Sequence, residues 1–129
     1  MPHRREIIDA PDAPAAVGPY SHAVRSGDLL FCSGQIPLDA RTGEISGAIA
    51  AEQVSVCLSN LQAVCRAAQT DLARAVRITV YLTDMADFAS VNEAYGAYFL
   101  THPPARVAIG VLALPRGALV EVDAIVAMA

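Results

Sequence analysis

The sequence lacks several features that mark particular classes of protein. Its 129 residues contain no tryptophan and no Gly-rich phosphate loop. The longest apolar run, residues 107–114, is far shorter than the roughly 20 residues of a membrane-spanning helix. The histidines His3, His22 and His102 are scattered and have no accompanying cysteine pair. This spacing disfavours a metal site, so no metal is expected.

Cysteine is also scarce, and the three present, Cys32, Cys57 and Cys65, cannot all pair within one chain. Cys57 and Cys65 are about 12 Å apart along a predicted helix, too far for a disulfide. Reduced thiols are therefore expected, as in a reducing compartment. Residues 1–9 carry charge but no apolar segment typical of a signal peptide. The sequence thus predicts a cytoplasmic protein. A Cys/His nucleophile pair is the disfavoured alternative, because thiols within apolar elements are usually inert.

Positive charge is sparse, because the net charge is −4 and the one basic cluster is His3-Arg4-Arg5. Nucleic acid and anionic membranes both call for a basic face, so neither is expected as a partner. Just over half of the residues are hydrophobic, with alanine and valine dominant. At this length the chain is expected to form one domain, residues 1–129, with a core of small side chains.

Hydrophobic periodicity predicts an α+β fold with one mixed sheet and two helices packed on one face. The predicted elements are a strand at Arg5–Asp9, a hairpin of Ser21–Arg25 and Leu29–Ser33, a helix at Ile49–Gln69, a strand at Val76–Thr83, a helix at Met85–Leu100 capped by Asp84, a strand beginning near Arg106, and a strand at Ala118–Met128. Because the helices cover one face only, the other face is expected to pack against a partner subunit.

Arg106 is the first candidate for a binding residue. The preceding Pro103-Pro104 pair restricts the backbone and sets where the arginine points. Along the strand, Arg106, Ala108 and Gly110 share one face, which leaves space beside the guanidinium. A fixed guanidinium with free space beside it suits a small carboxylate. The alternative is an arginine at a strand end that reaches solvent or pairs with an acid.

Four further polar residues are candidates, and each has a structural alternative. Glu121 is expected close to the Arg106 face, because a short turn should pair the last two strands antiparallel; it would activate water or simply pair with Arg106. Tyr20 and Ser33 follow or precede glycines and offer hydroxyls, or else serve as turn residues. Asn92 would otherwise face solvent or cap a carbonyl.

Five segments together resemble the RidA/YjgF family, the reactive-intermediate imine deaminases. They occur in family order and are Ala15–Ser21, Ser33–Pro37, Val91–Glu93, Pro104–Arg106 and Val120–Ala124. The resemblance implies a chorismate-mutase-like fold and a homotrimer with active sites at the subunit interfaces. It also implies cofactor-independent hydrolysis of 2-enamine/2-imino acids to 2-keto acids and ammonia.

Carried over position by position, the resemblance gives each candidate a role. Arg106 corresponds to the carboxylate-binding arginine and Glu121 to the water-activating glutamate. The substrate-binding group corresponds to Tyr20, Ser33 with its neighbour Gly34, and Asn92. The alternative function is a non-catalytic protein that binds small metabolites or partners on the same scaffold, which would need Arg106 but not Glu121.

Three positions depart from the family pattern. The segment at residues 100–103 is a few residues shorter than is typical and lacks an aromatic residue before Pro-Ala-Arg. Ala108 stands where many members have cysteine, and His22 ends a run that commonly ends in glutamine. A hydrogen-bonding role is expected for His22.

Overall fold

The computed structural model describes residues 4–129, so His3 lies outside the described residues. Six strands and two α-helices follow the predicted order. They are β1 (Arg5–Ile8), β2 (Ala23–Ser26), β3 (Leu29–Gln35), α1 (Ala50–Ala67), β4 (Ala75–Leu82), α2 (Phe88–Tyr98), β5 (Ala105–Gly110) and β6 (Val120–Ala127). The second helix is shorter than predicted, because Met85–Asp87 form a 3₁₀ turn before it. Asp84 caps this turn by accepting a hydrogen bond from the Ala86 N–H.

The strands form one mixed sheet in the order β1-β2-β3-β6-β4-β5. All neighbours are antiparallel except β4 and β5, which are parallel. The predicted pairing of the last two strands is wrong, since β4 lies between them. The reason is the β4–α2–β5 crossover, which returns the chain parallel to β4 at the sheet edge. Residues 111–119 then cross the end of β4 instead of forming a hairpin.

Alternation along the strands separates a buried face from an open one. In β6, Val120, Val122, Ala124 and Val126 are buried, whereas the residues between them are partly exposed. α1 contacts β3, β6 and α2, so both helices lie on the buried face. The predicted α+β class, with two helices on one face of a mixed sheet, is confirmed.

The open face of the sheet is apolar at several positions. Phe31 is 45% exposed, Val107 42% and Ile109 46%. The strand registers place Val107 and Ile109 on the face opposite the helices. Exposed apolar side chains on one surface are typical of an interaction site. Within residues 4–129, no helix is both long and apolar enough to cross a membrane.

Candidate functional site

A β-bulge in β3 brings Glu121 against Gly34. Cys32 pairs with Ala124 and Gln35 with Val122, so β3 has one extra residue at Ser33–Gly34. A Cβ atom at Gly34 would overlap the Glu121 carboxylate, whose Cδ lies 3.1 Å from that position. Glycine is therefore required there by the close approach of the carboxylate. Bulges often redirect side chains next to active sites, and this one places Glu121 beside the open backbone at Gly34.

Ser33 and Tyr20 lie near the same carboxylate, and local hydrogen bonds fix both. The Ser33 hydroxyl donates to the Ser21 carbonyl at 2.6 Å. The Tyr20 hydroxyl accepts a hydrogen bond from the Val17 N–H at 3.3 Å. Both side chains thus stabilise local turns, which was the structural alternative to a binding role for each. Both also line a cavity, so the two interpretations are compatible.

The cavity has a volume of about 310 Å³, enough for a small metabolite. Its wall includes Pro14, Tyr20, Ser33, Gly34, Pro115 and Glu121. The surface is mostly apolar, and Glu121 is the one charged side chain that lines it within the described residues. The structure therefore brings together four of the six predicted site residues. This part of the candidate site is named the Glu121 cavity below.

The electrostatics of the Glu121 cavity favour a carboxyl group that binds protons more readily than usual. Partial burial raises the pKa of Glu121, and the neighbouring charge of Asp123 raises it further. Asp123 accepts a hydrogen bond from the Tyr81 hydroxyl at 2.8 Å. Tyr81 is paired directly with Glu121 across β4 and β6. These groups surround Glu121 on the open face of the sheet.

Arg106 and Asn92 form a second, separate cluster. Nη1 of Arg106 donates to Oδ1 of Asn92 at 2.6 Å. The Arg106 guanidinium carbon lies 5.0 Å from the centroid of the Tyr95 ring and 5.7 Å from that of Phe88. Asn92 is exposed, as one of its structural alternatives expected, and its amide oxygen also binds Arg106. This group of four residues is named the Arg106 cluster below.

Sequence reasoning missed Phe88 and Tyr95, two aromatic residues of α2. Their spacing carried a usable signal, since Phe88, Asn92 and Tyr95 recur at intervals of four and three residues. The Arg106 face was expected to be open because its residues are small, but at Gly110 the Met85 side chain packs against it. A Cβ at Gly110 would lie 3.0 Å from Cγ of Met85.

Glu121 does not lie near the Arg106 face, contrary to the prediction. Arg106 pairs with Ile78, whose side chain is under the helices, whereas Glu121 pairs with Tyr81 on the open face. Two strand spacings across the sheet and three residues along it separate their Cα atoms by roughly 14 Å. The reason is the strand order, which inserts β4 between β5 and β6. Arg106 and Glu121 are therefore not an ion pair within one chain.

His22 supports the loop that walls the Glu121 cavity. Its ring is buried, and its Nδ1 accepts from the Ala10 N–H at 3.1 Å. Its Nε2 donates to the Pro14 carbonyl at 2.8 Å, and Pro14 lines the cavity. The predicted hydrogen-bonding role of this histidine is confirmed.

The three cysteines are free and buried, as expected for reduced thiols in the core. Burial raises the pKa of Cys57, which disfavours the thiolate. Proximity to Cys65 and burial raise the pKa of Cys32. These thiols are poor nucleophiles. Within residues 4–129, no cluster of three or more His, Cys, Asp or Glu side chains is arranged to hold a metal ion.

Comparison with known proteins gives concordant matches over almost the whole chain. Residues 10–128 match the family described as Endoribonuclease L-PSP. The RutC family protein y4sK of Sinorhizobium fredii is 54% identical over 95% of this chain and 98% of its own length. The 2-iminobutanoate/2-iminopropanoate deaminase of Mus musculus is 44% identical over 94% of this chain and 90% of its own length.

Solved structures agree with the sequence matches. The crystal structure of RidA from the Antarctic bacterium Psychrobacter sp. PAMC 21119 superposes with a TM-score of 0.91 at 39% identity. The superposition covers 95% of this chain and 99% of that one.

Proposed function

Since the chain belongs to the RidA/YjgF family, described as Endoribonuclease L-PSP, we propose that it hydrolyses 2-imino acids to 2-keto acids and ammonia. The substrates are the short 2-imino acids and the 2-enamine acids with which they interconvert, such as 2-iminopropanoate with 2-aminoacrylate, and 2-iminobutanoate. The mouse relative is named for activity on such substrates. No cofactor is required in this proposal.

The observation that carries the proposal is the complementarity of the Arg106 cluster and the Glu121 cavity. The Arg106 cluster offers a guanidinium that, among residues 4–129, donates one hydrogen bond, to Asn92. The other offers a carboxylate at the wall of a small cavity. They lie on opposite faces of one sheet, so one chain cannot use both on the same small molecule. We infer that Arg106 of one protomer faces the Glu121 cavity of its neighbour in a homo-oligomer.

The apolar open face supports this assembly. Phe31, Val107 and Ile109 would be buried there by a second copy of the chain. An edge strand such as β5 also has unpaired backbone groups, which a neighbouring subunit would protect. A homotrimer is the assembly proposed.

The reaction follows from the chemistry of these residues. Arg106 binds the substrate carboxylate with two parallel hydrogen bonds, which fixes the adjacent C=N carbon. Glu121 accepts a proton from water as the water oxygen bonds to that carbon. The C=N bond becomes a C–N single bond, and the nitrogen takes up the proton. As this adduct collapses, the hydroxyl proton passes through Glu121 to the nitrogen, the C=O bond forms and the C–N bond breaks. Ammonia leaves, and one water is consumed for each keto acid formed.

Positioning accounts for much of the expected acceleration. An imine is already electrophilic, so the enzyme needs chiefly to hold carbon and water at reacting distance. The raised pKa of Glu121, caused by burial and by Asp123, suits a group that both accepts and returns a proton. Tyr20 and Ser33 bound the cavity and contribute hydroxyl oxygens to its wall.

A coupled assay tests the proposal. A pyridoxal-phosphate dehydratase acting on serine or threonine supplies the imino acid, and keto acid and ammonia are measured together. The protein is expected to raise the rate of both above spontaneous hydrolysis. Hydrolysis at the spontaneous rate would contradict it. Structured and single-stranded RNA are the comparison substrates, since the family description mentions endoribonuclease activity; the net charge of −4 predicts no tight, salt-sensitive binding to them.

A further inference from the structure

Three side chains on one face of α2 meet the guanidinium of Arg106. Phe88, Asn92 and Tyr95 are spaced by four and three residues, which aligns them along the helix. Arg106 reaches them from β5, with Asn92 binding Nη1 and the two rings lying near the guanidinium carbon. Two aromatic rings and one amide therefore contact a single cation.

We propose that Phe88 and Tyr95 form an aromatic platform that positions Arg106 for carboxylate binding, and that the ring of Tyr95 acts there independently of its hydroxyl. This inference rests on the proposed function, in which Arg106 binds the substrate. Both aromatic residues are positioning residues, since they act through Arg106 and do not contact the reacting atoms.

The platform reduces the freedom of the guanidinium before a substrate arrives. An arginine side chain ordinarily loses considerable rotamer entropy when it is fixed. Here the attraction between the cation and the ring faces holds the guanidinium near α2. The Asn92 carbonyl oxygen accepts one hydrogen of Nη1. The other donors remain oriented for an incoming carboxylate.

The surroundings of Tyr95 show why its ring matters more than its hydroxyl. The residue is only 5% exposed, and its ring packs against Phe99 with centroids 4.9 Å apart. Its hydroxyl oxygen is buried and has no hydrogen-bond partner among residues 4–129. Burial raises the pKa of Tyr95, so the phenol stays neutral. A buried hydroxyl without a partner contributes no hydrogen bond to Arg106 or to a substrate.

If Phe88 and Tyr95 only filled the core, leucine substitutions would have a different effect. A core position requires volume and apolar surface, which leucine supplies in large part. A platform for a cation requires an aromatic face, which leucine lacks. Phe88 is only partly buried, so replacing it with leucine disturbs the core less than a replacement at Tyr95.

The first test compares Tyr95→Phe, Tyr95→Leu and Phe88→Leu. Kinetics on 2-iminobutanoate generated in the assay give KM and kcat, and calorimetry gives the dissociation constant of the product 2-oxobutanoate. Tyr95→Phe is expected to stay within about twofold of the wild type. Both leucine variants are expected to raise KM and the product dissociation constant roughly three- to thirty-fold. Their kcat should change little, because carboxylate binding is similar before and during the reaction.

The second test does not depend on turnover. The Nε–H resonance of Arg106 is identified by its loss in Arg106→Lys and is expected to be displaced by the ring currents of the platform. It should stay displaced in Tyr95→Phe and move toward the free-arginine position in both leucine variants. A wild-type protein that neither hydrolyses imines nor binds 2-oxobutanoate would refute the proposed function, while this resonance would still report on the platform.

Two results would overturn the platform. One is leucine variants that leave both KM and the Arg106 resonance unchanged. The other is a Tyr95→Phe variant with as large a rise in KM as Tyr95→Leu, which would assign the effect to the hydroxyl. If Tyr95→Leu fails to fold, Phe88→Leu decides the question by the same two measurements.

Discussion

Arg106 and Glu121 lie on opposite faces of the same sheet, separated by the whole width of β4. Arg106 is level with Ile78 and Glu121 with Tyr81. The two groups proposed for one active site thus belong to different surfaces of the protomer. Under the proposed function, this arrangement would make assembly a condition of activity.

Removal of the guanidinium should abolish catalysis without unfolding the chain. Arg106→Ala is expected to reduce kcat/KM for imine hydrolysis by at least about a hundredfold, since the substrate carbon would no longer be held in place. Arg106→Lys keeps the charge but loses the two-pronged contact, so an intermediate loss is expected. The coupled assay measures both, with size-exclusion chromatography to check assembly.

Arg66→Ala is the matched control for the loss of an arginine. Arg66 is exposed in the last turn of α1, outside both the Arg106 cluster and the Glu121 cavity. Wild-type activity is expected for this variant. Full activity in Arg106→Ala would remove the role assigned to that residue.

Glu121→Gln should separate turnover from binding. The amide retains the size of the side chain but cannot accept a proton from water, so kcat is expected to fall by about 10² to 10⁴. The dissociation constant of 2-oxobutanoate should stay close to that of the wild type, because Arg106 is intact. Undiminished turnover would instead favour a binding protein that has no need of Glu121.

The acidic limb of the pH–rate profile should report the environment of Glu121. Burial and Asp123 raise the pKa of Glu121, so its active, ionised form is lost at a higher pH than for an ordinary glutamate. Asp123→Asn removes one cause of the rise and should therefore shift the limb to lower pH. Tyr81→Phe retains the Asp123 charge and serves as the comparison. A limb that moves upward in Asp123→Asn would contradict this assignment.

Gly34→Ala should disturb Glu121 directly. The added Cβ would overlap the Glu121 carboxylate and force it to move, so a loss of kcat is expected while the fold persists. Gly96→Ala is the control, since nothing lies within 4 Å of a Cβ at that exposed position of α2. There alanine should stabilise the protein by about 0.5–1 kcal/mol in thermal or urea unfolding. A fully active Gly34→Ala enzyme would show that the close approach is unimportant.

Local sequence patterns were sufficient to predict the helices and strands, but not the order of the strands in the sheet. In β6, valine alternates with acidic residues, and the structure buries Val120 and Val122, because strand period and burial are both local properties. The position of β4 between β5 and β6 depends on a crossover through α2 and on residues 111–119. That linker contains a turn resembling a hairpin, so the sequence favoured the wrong neighbour.

The sequence predicted which residues belong to the candidate site, but not how they are arranged. The resemblance identified Arg106 and Glu121, and the structure places each beside other predicted residues, Asn92 and Gly34. Their separation within one chain follows from strand order, which periodicity cannot reveal. Tyr95 was missed because a buried aromatic residue on a helix looks the same whether it packs against a leucine or a guanidinium.

Complementation between two inactive variants tests the shared site most directly. Arg106→Ala and Glu121→Gln chains are unfolded together and refolded as mixed oligomers, and each is also refolded alone. If each site takes Arg106 from one protomer and Glu121 from its neighbour, random mixing restores both groups in about one quarter of the sites. Activity of about a quarter of the wild-type level is therefore expected in the mixture. Activity no greater than the sum of the two variants refolded alone would contradict a site shared between protomers.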